Sequence, residues 1–122
     1  MVIPLGVLIC QSGAWAPIGS GGPKAWVNFD GRSASCITSW CPIRAQSNIS
    51  GVQRIGVGEY VVYFTSAMPD TNYVVTGTTH VGSSWNEHLS LGPVVAAPAI
   101  ATNSVRIATY NDTQQVHILV FR

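Results

Sequence analysis

Charge is scarce in this sequence: Lys, Arg, Asp and Glu make up 9% of its 122 residues, against roughly a quarter in an average globular domain. The six basic residues (Lys24, Arg32, Arg44, Arg54, Arg106 and Arg122) and the five acids (Asp30, Glu59, Asp70, Glu87 and Asp112) are scattered singly along the chain. With no basic stripe there is no electrostatic footprint for nucleic acid or for an anionic membrane. Long apolar runs are missing as well. Met1 to Cys10 is apolar but contains Pro4 and Gly6, has no positive leader region and is far shorter than the roughly 20 apolar residues that span a bilayer. It reads as neither a signal peptide nor an anchor, and no membrane insertion is expected.

The equipment of the common catalytic and metal sites is equally thin. Three cysteines (Cys10, Cys36 and Cys41) leave one over in any intramolecular pairing, and the C-x4-C spacing lacks the second pair of a structural zinc site. His80, His88 and His117 show no ligand spacing, so no metal or cofactor is expected; only three copies of one His around a trimer axis would gather ligands. No G-x-S-x-G elbow is present, and five dispersed acids can form a glycosidase pair only if the fold brings two together. Asp70, after Pro69 in AMPDTNY, reads as a turn residue whose carboxylate accepts local backbone N–H groups. Cys36 and Cys41 can bridge across a turn, closing a loop worth roughly 2 kcal/mol; two free thiols are the alternative in a reducing cytosol.

What is abundant is β-forming sequence. Apolar and aromatic residues make up 47% of positions, in short runs separated by Gly, Pro, Asn, Asp and Ser clusters at about the 8 to 12 residue spacing of sandwiches and barrels. The expected strands are Lys24 to Asp30, Pro42 to Ile49, Glu59 to Thr65, Asn72 to His80, Ser104 to Tyr110 and Val116 to Phe121. Weaker candidates are Pro4 to Cys10 and Val94 to Ile100. No helical stretch competes. Side chains alternate along a strand, which puts Tyr60, Val62 and Phe64 on one face and Val61, Tyr63 and Thr65 on the other. Val116, Ile118 and Val120 likewise oppose His117, Leu119 and Phe121. Strands apolar on both faces, in a chain so poor in charge, call for burial against other subunits. The fold class is therefore all-β, an antiparallel β-sandwich, either of the secreted type with a Ser/Thr/Asn/Gly surface or covering its surface by self-association, as in an intertwined homotrimer. Trp26, Phe29, Val62, Phe64, Tyr73, Val75, Ile107 and Ile118 should be mostly buried. The one composition break, GSGGP at Gly19 to Pro23, divides a connector or attachment segment (1–22) from a head (23–122).

Three stretches carry a family resemblance: PKAWVNFDG (Pro23 to Gly31), GEYVVYFTSAMPDTNYVVTGT (Gly58 to Thr78), and SVRIATYNDT followed by VHILVFR (Ser104 to Arg122). With IRAQSNISGVQRIGVG (Ile43 to Gly58) they cover most of residues 23–122, and this succession resembles the C-terminal tip domains of tailed-bacteriophage tail-fibre proteins. The resemblance implies a trimeric all-β tip of a virion, made in the host cytoplasm. Its partners would be other phage tail or baseplate proteins and a glycan or protein on the host surface. VLICQSGAW (Val7 to Trp15) also resembles a short β element found ahead of some fibre and pilus-tip domains. Between Gly31 and Pro42 the sequence departs from the usual pattern, and RSASCITSWC reads as an insertion.

A nearly neutral protein gains glycan affinity from stacking and directed hydrogen bonds rather than from charge attraction. The receptor-contacting residues are accordingly expected in loops with aromatics beside polar groups: Ser39 and Trp40 in the insertion, and Trp85, Asn86, Glu87 and His88 in GSSWNEH, for which an ordinary exposed loop with Trp85 in the core is the alternative. Two rival readings accompany this one. The first is a structural virion adaptor or decorating protein that docks through Met1 to Gly22; the second is a fragment of a polysaccharide depolymerase.

Overall fold

The computed structural model describes residues 8–11, 14–17, 22–80, 89–91, 99–109 and 111–122. The chain is all-β, built from antiparallel strands with almost no helix. Strands β1 (Leu8–Gln11) and β2 (Ala14–Pro17) form a hairpin of their own, with Cys10 opposite Trp15. The strand expected over Pro4 to Cys10 overlaps β1, and its first residues lie outside those described, as do Gly19 to Gly21 of the presumed boundary.

The described residues of 22–122 form two four-stranded sheets. The first contains β3 (Ala25–Phe29), β4 (Ile43–Ser47), β7 (Val74–His80) and β10 (Gln115–Phe121), in the order β4-β3-β10-β7. The second contains β5 (Ile49–Gly56), β6 (Glu59–Phe64), β8 (Leu89–Leu91) and β9 (Ser104–Thr109), in the order β5-β6-β9-β8. Two-residue periodicity decides which side chains face inward. Ala25, Val27 and Phe29 of β3 and Val116, Ile118 and Val120 of β10 are buried, and their neighbours in sequence are half-buried on the other face. Tyr60, Val62 and Phe64 of β6 and Val105 and Ile107 of β9 come from the opposite sheet to meet them in one core. Phe29 meets Tyr60 edge to face, with ring centroids 5.2 Å apart, and Phe64 meets Tyr73 in the same way at 5.6 Å.

The chain changes sheet at Asn48. Its φ of 57° is left-handed, a conformation that Asn tolerates better than most residues. Its side chain spans the corner: Nδ2 donates to the Lys24 and Ser66 carbonyls at 3.3 and 3.1 Å, and Oδ1 accepts the Ser66 N–H at 2.7 Å. The strand expected as one piece over Pro42 to Ile49 is thus two strands in different sheets, and most of β5 was not anticipated. The second sharp reversal, between β5 and β6, passes through Gly58 at φ 67°, where a side chain would be strained.

Other expectations also need correction. A five-residue helix, α1 (Ala34–Thr38), occupies the insertion where no helix was expected. Ser33 caps it by accepting the Cys36 N–H at 3.3 Å, and Asp30 Oδ1 accepts the Arg32 and Ser33 N–H groups at 2.9 and 3.1 Å. Trp26 and Val75 are partly rather than fully buried: Trp26 alternates outward from Val27, while Val75 packs against the core. Strand β8 was not anticipated. Of Val94 to Ile100, residues 94–98 lie outside the described set, and Ile100 makes an isolated bridge to Val105.

Candidate functional site

The insertion ends against the outer face of the second sheet. Its two ends meet where the Asp30 N–H donates to the Pro42 carbonyl at 2.9 Å, and the Cys41 N–H donates to Val52 of β5 at 2.9 Å. Cys36 and Cys41 are joined by a disulfide, and both are buried. Trp40 precedes Cys41 and pairs through its backbone with Gln53. Its indole lies over Gly51, where a Cβ would come within 2.9 Å of Cε3 and Cζ3. Only glycine leaves that space. The indole also meets Tyr63 edge to face, with centroids 5.6 Å apart. It remains 51% exposed, so this tryptophan is a presented side chain and not part of the core.

Register lays out what lies beside it. Gly51, Tyr63 and Ser104 form one row across β5, β6 and β9, and Gln53, Val61 and Arg106 form the next. The Tyr63 hydroxyl donates to Gln53 Oε1 at 3.2 Å. A groove of about 450 Å³ runs over this surface, lined by Ile55, Val61, Tyr63, Ala101, Asn103, Ser104 and Arg106. Its far wall is tied to the core, because the Tyr73 hydroxyl lies 2.7 Å from the Ala101 carbonyl oxygen and 3.0 Å from that of Ser104. Arg106 Nε is buried and, among the described residues, meets no hydrogen-bond acceptor. The arrangement is an aromatic wall, an apolar floor and a rim of amides, hydroxyls and one guanidinium. Such a surface can pack on a sugar ring and bond its hydroxyls.

Of the residues singled out from sequence, Trp40 does not line the groove itself but packs against Tyr63, which does. Ser39 does not line it: it is the exposed C-cap of α1, with its N–H donated to Ser35 at 2.8 Å. Trp85, Asn86, Glu87 and His88 lie outside the described residues. Tyr63, Gln53, Asn103, Ser104 and Arg106 went unrecognised. For Tyr63 there was a signal, since alternation had already placed it and Val61 opposite the core-facing side chains of β6.

Three of the four described acids, all but Glu59, are paired with arginines. Arg122 donates to both Asp70 oxygens at 2.7 and 2.6 Å, and with the Asn72 N–H it holds that carboxyl down to about 2. Asp112 pairs with Arg54 at 2.8 Å, and Asp30 lies 3.7 Å from Arg44. Among the described residues no three His, Cys, Asp or Glu side chains converge as a metal set, and no helix is long and apolar enough to cross a membrane.

Compared with protein-family models, curated proteins and solved structures, the chain matches none.

Proposed function

We propose that this chain is the receptor-binding tip domain of a bacteriophage tail fibre, a homotrimeric β-sandwich without catalytic machinery that binds a host surface glycan during adsorption. The observation that carries the reading is the half-exposed Trp40 indole, backed by Gly51 and Tyr63 and bordered by polar side chains. A large aromatic kept at the surface by a disulfide and a backbone bridge is organised for contact with a partner. Pairing of Asp30, Asp70 and Asp112 with arginines favours binding over hydrolysis, because a glycosidase needs two carboxyl groups facing one bond. Weak single-site binding would be strengthened by three copies per tip and several fibres per virion.

A glycan array probed with the native protein, beside Trp40→Ala, tests the reading. Binding should appear for the native protein and fall at least tenfold for the variant, consistent with the loss of an aromatic contact. The melting temperature should stay nearly unchanged. An array on which the native protein binds nothing would remove the glycan from the proposal.

A further inference from the structure

We infer that the groove beside Trp40 takes a saccharide bearing a carboxylate, with Arg106 as the residue that reads its charge; this rests on the glycan-binding reading above. Arg44, Arg54 and Arg122 each face an Asp. Arg106 has no ion pair among the described residues, and its Nε is buried with no acceptor. A buried donor left unmatched is unfavourable until something supplies an oxygen. Glu59 is the acid nearest in register, opposite Ala108, but its carboxylate turns the other way: a Cβ on Gly56 of β5 would stand 2.8 Å from Glu59 Oε2. β6 therefore separates the one described acid of this face from the guanidinium on β9.

The surroundings select the ligand further. Val61 is buried beside Arg106, and Tyr63 and Ile55 border the same groove. In such low-polarity surroundings a charge-assisted hydrogen bond is strengthened. A carboxylate matches the planar fork of one guanidinium with two parallel bonds and a single opposite charge. A phosphate, with nearly twice the charge, calls for further cations, and no other Lys or Arg lines the groove. Tyr63, backed by Trp40, supplies the face for the ring, while Asn103 and Ser104 supply partners for its hydroxyls.

The test is a titration of the native protein with methyl glucuronide, methyl glucoside and glucose phosphate, followed through the NMR shifts of the Trp40 indole N–H and the Arg106 Nε–H. The glucuronide should bind roughly tenfold more tightly than the glucoside, as one charge-assisted contact implies, and should move both signals. Arg106→Gln should erase that preference while the Trp40 signal still responds to both sugars, and Glu59→Gln should keep it. Equal affinities for glucuronide and glucoside, tighter binding of the phosphate, or a preference that survives in Arg106→Gln would each overturn the inference and leave glycan binding standing. If no saccharide, here or on the array, shifts the Trp40 signal, the inference falls together with the glycan reading.

Discussion

The Tyr60 hydroxyl lies where three segments meet. It donates to the Gly31 carbonyl at 2.8 Å, accepts the Thr113 N–H at 3.3 Å and lies 3.3 Å from Asp112 Oδ1. Tyr60→Phe keeps the ring against Phe29 but leaves the buried Gly31 carbonyl without this donor, so it should cost about 1 to 3 kcal/mol in urea unfolding. Burial pushes the Tyr60 and Tyr73 hydroxyls up to about 12. A raised value means that the fold prefers the neutral phenol. Their stabilisation is complete below the unfolded value of about 10 and is lost as pH rises from there through about 12. Unfolding midpoints should therefore drop steeply over that range, and less steeply in Tyr60→Phe. Asp112 behaves in the opposite sense. Burial alone would raise its carboxyl, but the Arg54 guanidinium and the Gly58 N–H outweigh it and hold the value below the ordinary 3.8. Its contribution is present above that value and lost as pH falls through the depressed one. Asp112→Asn should flatten this part of an acid unfolding profile.

Two elements border the second sheet at β5: the corner at Asn48 and the disulfide-bonded insertion. Asn48→Ala removes three side-chain hydrogen bonds at a left-handed residue and should lower stability by about 1 to 3 kcal/mol in denaturant titrations. Asn48→Gly relieves the backbone alone and should recover only part of that loss. Replacing Cys36 and Cys41 together by Ser should cost about 2 kcal/mol and weaken glycan binding, because Trp40 loses one of its tethers. The strands were readable because alternation and turn residues are local features. The corner was not, since what holds Asn48 is contact with Lys24 and Ser66, distant in sequence. Five residues of α1 are too few to display a helical period, and β5 was hidden because Gly51 and Gly56 interrupt its apolar pattern. Trp40 could be picked out as an aromatic in an unusual insertion. Arg106 could not, because its neighbours Val61 and Tyr63 reach it only through strand pairing.

At the scale of the whole molecule, the first sheet presents Trp26, Val74, Leu119 and Phe121 on its outer face. Val74 is 62% exposed, and the other three are half-buried. The second sheet needs less help from outside, since Trp40 of the same chain already covers part of its outer face. If the proposed trimer forms, the first sheet is the face to bury. Leu119→Lys with Val74→Lys should then shift the native mass in sedimentation toward that of one chain while leaving a β-type circular dichroism spectrum. A single-chain mass for the unaltered protein would count against the trimer. The placement of β3 has a mechanical consequence. The Lys24 N–H is bonded to Val120, and β3 lies inside its sheet, paired with β4 on one side and β10 on the other. A pull arriving along the backbone at Ala25 therefore acts parallel to both ladders and loads their hydrogen bonds together, in shear. A strand at a sheet margin, peeled sideways, would surrender its bonds one at a time. A domain strung this way resists tension where its chain enters the sheet.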